Sequence, residues 1–221
     1  MNIPNNLDLK LHNMIKRIKY AVLALVLTMS LTVKADSPIT STYIATFYYE
    51  YPIVGIAETT RGLNDEIAAY LLDPDNLIDV KAAVINAIGW NYDGTQNADL
   101  FKTYLAKAHN TTTQQLSMSS LSGDELFCLG YFMAMDNYFV VDDAINVLQM
   151  AADKNSTSFT THLFLGMVQA QKAMDYDFCQ VWRITASVIN DKSLTRDLKT
   201  GAIQSIVDYM ILYKGACVAD Y

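Results

Sequence analysis

The sequence predicts an all-α protein, built of antiparallel helical hairpins stacked as an α-α superhelix or packed as a compact helical bundle. Three observations predict it. Apolar residues recur at three- and four-residue steps through nearly every long segment, which places them on one helix face. Short polar pieces divide these segments into runs of helix length. The 221 residues hold only 4 Pro and 9 Gly, which excludes a collagen-like or generally disordered chain. A chain of this length can bury roughly 70% of the surface it exposes when unfolded, so its core needs no metal or disulfide framework.

The first thirty-five residues read as an address. Lys16, Arg17 and Lys19 form a basic region, Tyr20 to Val33 an apolar run, and Ala35 a small residue before Asp36-Ser37-Pro38. This is the order of a secretory signal peptide, with Met14 as a candidate true start. The apolar run is shorter than the ~20 residues a bilayer span needs. Cleavage after Ala35 leaves 11 basic and 22 acidic residues, a net charge of −11.

Residues 36–60 form an N-terminal segment, and 61–221 a single helical repeat-like domain. Within the first, Thr42 to Ile56 is rich in aromatic and β-branched residues. Tyr43, Phe47 and Tyr51 keep a spacing of four, so a helix leading into an extended piece at Tyr51-Pro52 is expected. Asn64 to Leu72 places Ile67, Ala68, Leu71 and Leu72 on one face. Asp75-Asn76 is expected to cap the next helix, which carries Leu77, Val80, Val84, Ala87 and Ile88. Asp93-Gly94 closes a turn, and Thr95 to His109 carries Leu100, Tyr104, Leu105 and Ala108. The polar stretch 110–120 is the clearest loop. Ser122 and Glu125 then have the spacing of a capping box. Further helices are expected at about 123–135, 139–153, 158–174, 177–190 and 194–213.

Three apolar-Gly dipeptides stand in the first helix of successive expected pairs: Ile88-Gly89, Leu129-Gly130 and Leu165-Gly166, spaced by 41 and 36 residues. Glycine inside a helix costs about 1 kcal/mol against alanine. A recurrence at one structural place therefore implies that a neighbouring helix approaches closely there. Small and large apolar residues follow in the second helices: Phe101, Leu105 and Ala108; Ala144, Leu148 and Ala151; Phe178, Trp182 and Ala186. On these residues the stretch 82–190 resembles tetratricopeptide or Sel1-like helical repeats, although the usual Pro after the second helix is absent. The resemblance implies helix pairs stacked in a curved array. The first helices of such an array would line a concave surface. Trp90, Tyr131 and Met167, one after each Gly, and Asn86, Phe127 and Leu163, three before each, are the candidate binding residues, with a buried core stripe as the competing reading.

Catalytic and cofactor motifs are missing from the sequence. His109 and His162 lie in no zinc-binding pattern, and there is no C-x-x-C, phosphate loop or nucleophile elbow. Asn91 to Thr95 lacks the ligand order of a calcium loop. No metal or cofactor is expected. The acid clusters Asp73/Asp75/Asp79, Asp142/Asp143 and Asp175/Asp177 sit where carboxylates cap helices. Among three cysteines, Cys179 and Cys217 are the expected pair, and Cys128 is expected to be a buried small hydrophobe.

The reading that follows is a non-catalytic exported protein, periplasmic or secreted, that recognises a protein or peptide partner. The acidic balance favours a basic partner and disfavours nucleic acid. One concrete form is an immunity protein against an envelope-acting toxin. The alternatives are an envelope hydrolase using paired carboxylates and a structural subunit of an envelope complex.

Overall fold

The computed structural model describes Lys19, residues 37–90 and residues 96–219. The expected signal segment, apart from Lys19, and the turn expected at Asp93-Gly94 lie outside the described residues. Residues 37–221 form one compact unit. Among its described residues the fold is all-helical, with α1 Pro52–Thr60, α2 Asp65–Leu72, α3 Ile78–Ile88, α4 Asn97–Ala108, α5 Gly123–Asp136, α6 Asp142–Lys154, α7 Phe159–Ala173, α8 Phe178–Asn190 and α9 Thr200–Met210. Two 3-10 stretches bracket them, a turn at Ala45–Tyr48 and a C-terminal strap at Ile211–Ala219.

Local chemistry explains most boundaries. Asn64 caps α2 by accepting the Ile67 N–H. Ser122 and Glu125 form the full capping box of α5: the Ser122 hydroxyl accepts the Glu125 N–H, and the Glu125 carboxylate accepts the Ser122 N–H. Asp177 caps α8 through the amides of Cys179 and Gln180. Pro52 opens α1 at the first turn, where its missing N–H costs nothing.

Four local expectations need correction. The aromatic run does not form a helix before Tyr51: Ala45–Tyr48 is a single 3-10 turn, Tyr51 is extended, and the helix follows from Pro52. Asp75-Asn76 does not cap α3, whose N-cap is Leu77; Asn76 instead donates to the Tyr70 carbonyl. Residues 139–141 are not helical: the Val140 N–H closes a turn on the Asn137 carbonyl, and α6 begins at Asp142 after its N-cap Val141. The last helix starts at Thr200, because Thr195 is drawn into a parallel bridge with Ser158 and Asp197 caps the Thr160 N–H at 2.7 Å.

Packing separates true hairpins from the rest. α5 and α6 pack as one pair, and α7 and α8 as another; α3 packs mainly against α1 rather than α4, which lies on α5. The expected pairing of 78–88 with 97–108 is therefore corrected. The glycines follow this division. A Cβ at Gly130 would meet Leu148 Cγ of α6 at 2.7 Å, so the close approach is real there. At Gly166 the nearest atoms, Ile184 and Val188 of α8, are at an ordinary 3.5 Å. Gly89 is outside the helix, the C-cap of α3 at φ 83°, with nothing within 4 Å.

The first helices α3, α5 and α7 all touch one another. An open superhelix would separate the first from the third, so the array curls into a compact bundle. The aromatic rings of Phe127, Tyr131 and Phe164 fill the space between α5 and α7, with Tyr131 and Phe164 at 4.8 Å.

Candidate functional site

Of the six residues expected to line a concave surface, the structure places five in the core. Asn86, Phe127, Tyr131, Leu163 and Met167 are all buried. The physical reason is the mutual contact of α3, α5 and α7: the stripe that an open array would present to solvent is turned inward and packed. Asn86 is further occupied by its own chain. Its Oδ1 accepts the N–H groups of Ile44 (2.7 Å) and Ala45 (3.1 Å), and its Nδ2 donates to the Thr42 carbonyl and to the Tyr131 hydroxyl, both at 3.0 Å. Every polar atom of that amide is used, as a buried amide requires.

Trp90 alone remains at the surface, 40% exposed, and it belongs to a different assembly. The chain ends of the first helices share one edge. Trp90 follows α3, Asp136 ends α5, and the Ala98 N–H at the start of α4 donates to the Asp136 carboxylate at 2.7 Å. Trp90 meets Tyr138 edge-on at 5.6 Å, and Tyr138 lies on Phe139 at 4.2 Å. Lys172 near the end of α7 pairs with Asp142 at the start of α6, which brings the Tyr176 turn to the same edge. Along it stand Phe139 (71% exposed), Val140 (65%), Tyr176 (69%) and Phe178 (52%).

No family model, curated protein or solved structure matches this chain. The repeat resemblance therefore rests on its own residues, and the edge is judged by its chemistry.

That chemistry is aromatic and acidic. Asp136, Asp142, Asp143, Asp175 and Asp177 flank the rings; Asp142 pairs with Lys172, Asp136 accepts the Ala98 N–H, and Asp177 caps α8. Burial holds the Asp136 carboxyl above the usual carboxylate range, partly offset by the amides of Ala98 and Asn97. Rings that are exposed beside carboxylates favour cationic side chains, through cation–π contact and ion pairing together. The sequence reading missed Phe139, Val140, Tyr176 and Phe178. A signal existed for Phe139, Val140 and Tyr176, large apolar residues beside Asp and Asn, whereas Phe178, expected as a second-helix residue, opens α8 with its ring exposed.

The opposite end of the bundle is a polar cleft of about 490 Å³, lined by Asp75, Asn76, Leu77, Asp124, Lys154, Asn155, Ser158, Thr195 and Asp197 among others. Its polar groups are engaged internally. The buried Lys81 pairs with Asp124 at 2.9 Å, and Asn155 donates to the other Asp124 oxygen. Lys154 donates to the carbonyls of Ser119 and Leu121, which pins the 110–121 loop beside the cleft. Asp79, near this end, is raised by burial, with Asp197 adding repulsion, yet it accepts the Tyr48 hydroxyl at 2.9 Å. Asp79, Asp124 and Asp197 each serve a helix start or an ion pair. Among the described residues, no group of three or more His, Cys, Asp or Glu is placed to hold a metal.

Proposed function

We propose that this chain is an exported binding protein that engages a basic protein or peptide through its aromatic, acidic edge. The observation that carries the reading is the row Trp90, Phe139, Tyr176 and Phe178, exposed along the first-helix ends and flanked by five Asp side chains. Large amphipathic rings supply the anchors of protein interfaces, and the carboxylates select and steer a cationic partner. An immunity protein bound to a basic toxin is one form of this reading. Export draws support from the Cys179–Cys217 disulfide, a bond that persists in oxidising compartments. The hydrolase alternative draws less support, because the carboxylates of the polar cleft act as caps and ion-pair partners.

The test uses two synthetic peptides of equal length and aromatic content, one rich in Lys and one rich in Glu. Titration at low and moderate salt should show saturable binding of the Lys peptide alone, weakening as salt rises. Phe139→Ser with Tyr176→Ser should cost at least about tenfold in affinity while circular dichroism stays unchanged. Equal binding of both peptides, or binding indifferent to the two substitutions, would overturn the reading.

A further inference from the structure

Residues 37–50 behave as a ligand inside their own protein. Ser37, Ile39, Thr42, Ile44, Ala45 and Tyr48 are buried, while Tyr49 and Glu50 return to solvent before the extended Tyr51. The segment carries its own turns: Ser41 N–H donates to the Ser37 carbonyl, Thr42 Oγ1 to the Pro38 carbonyl, and Phe47 N–H to the Ile44 carbonyl. It therefore arrives with part of its ordering cost already met.

Two walls receive it, α3 and α9, which are far apart in sequence. From α3, Asn86 reads main-chain atoms of three residues, as described above, and Asp79 accepts the Tyr48 hydroxyl. From the start of α9, the Lys199 N–H donates to the Tyr48 oxygen at 3.0 Å. The Lys199 ammonium donates to the Phe47 carbonyl at 2.9 Å, pairs with Glu50, and lies 4.5 Å above the Tyr48 ring. The second wall also has a cradle. A Cβ at Gly201 would stand 2.5 Å from the Phe47 ring, so the bare helix surface there is the seat of that ring.

We propose that the groove between α3 and α9 is a peptide-binding site, filled in this structure by residues 37–50, and that a free peptide of the same chemistry takes it when the resident segment is cut loose. Recognition is of main chain at Asn86 and of two consecutive aromatic side chains at Gly201 and Lys199. The fitting ligand is an apolar pair followed, after one residue, by two aromatics. This site uses none of the edge residues of the proposed function, so each stands or falls alone.

The experiment places a specific protease site between Glu50 and Tyr51 of the full chain. After cutting, the body should keep its helical spectrum, and a labelled 37–50 peptide should exchange in with one-to-one saturation. Gly201→Ala should weaken uptake at least about tenfold, since the Phe47 ring and the new methyl cannot share the space. A peptide carrying Phe47→Ala should bind the unsubstituted body and the Gly201→Ala body alike, which a general loss of fold would not produce. A folded cut body that takes up no peptide, or uptake indifferent to Gly201→Ala, would overturn the proposal. So would collapse of the body on cutting, which would make the segment core rather than ligand.

Discussion

A methyl group added at Gly130 would sit 2.7 Å from Leu148 Cγ and 3.1 Å from its backbone nitrogen, atoms that cannot all retreat. Gly130→Ala should therefore cost about 1–3 kcal/mol in urea unfolding. Gly166→Ala adds a methyl at ordinary contact distance inside a helix, and should gain up to about 1 kcal/mol from helix propensity. Gly89→Ala has open space but a φ of 83°, and should lose about 1–3 kcal/mol from backbone strain alone. Three identical substitutions after apolar residues thus separate steric conflict, propensity and strain. A common sign for all three would contradict the packing described. Asn86 shows the same dependence on context. Asn86→Ala takes the partner from two buried amides, one carbonyl and the Tyr131 hydroxyl, and should lower stability by about 3 kcal/mol. A loss below about 1 kcal/mol would mean that the N-terminal segment is not held by that side chain.

Helix ends and the C-terminal strap set what each element contributes. Burial alone would raise the Glu125 carboxyl, but the Ser122 amide and His109 outweigh it, and its pKa lies below the ordinary carboxylate value. The sign follows. The folded state binds this proton less readily than the unfolded chain, so the stabilisation is complete above the ordinary carboxylate pKa and is lost as pH falls through the lowered one. Glu125→Gln should flatten that acid limb in pH-dependent unfolding, while Ser122→Ala should cost about 1 kcal/mol at neutral pH. The strap is a different case. Ile211–Ala219 packs along α8, with Phe178 and Tyr213 stacked at 5.9 Å and Cys217 bonded to Cys179. The bond closes a loop of 38 residues, which in the chain-entropy model contributes about 4 kcal/mol. Reduction or Cys217→Ser should lower the unfolding midpoint accordingly. Cys128 is buried with its thiol pKa pushed up, so alkylation of the oxidised protein should label nothing when folded and one cysteine in denaturant. Labelling of two or more would disprove the pairing.

At the scale of the whole molecule, closure of the bundle decides which surfaces remain for a partner. The first helices meet in the middle, and residues 37–50 fill the space between α3 and α9. Among the described residues, the strap exposes the aliphatic Ile211 and Leu212, while exposed aromatic area is left along the hairpin edge and around Tyr43 and Tyr49. The last two are tied to Glu58, whose carboxylate accepts both hydroxyls. Among the described residues, the hairpin edge is where exposed rings meet a run of carboxylates. That is why salt sensitivity belongs among the expected properties of binding.

Helical content, the α5 and α8 start signals and the burial of Cys128 follow from residue spacing, because each depends on neighbours along one helix or on a single local preference; the Cys179–Cys217 pair, which spacing places between neighbouring hairpins, instead joins α8 to the strap. The core stripe of Phe127, Tyr131, Leu163 and Met167 is also visible there, but not whether it faces solvent or packs inward. That depends on how far the array curls, a property of contacts among α3, α5 and α7 that no one segment encodes. The same holds for Gly89, which shares its dipeptide with two helical glycines yet ends its helix at φ 83°, while α3 packs on α1 rather than on α4. Tyr176 lies in a turn that reads as a mere separator and Phe139 in what reads as the start of a helix, and only the alignment of three helix ends brings them into one edge. Periodicity records which residues lie on one face of a helix; which faces meet is settled by volume and closure between elements distant in the chain.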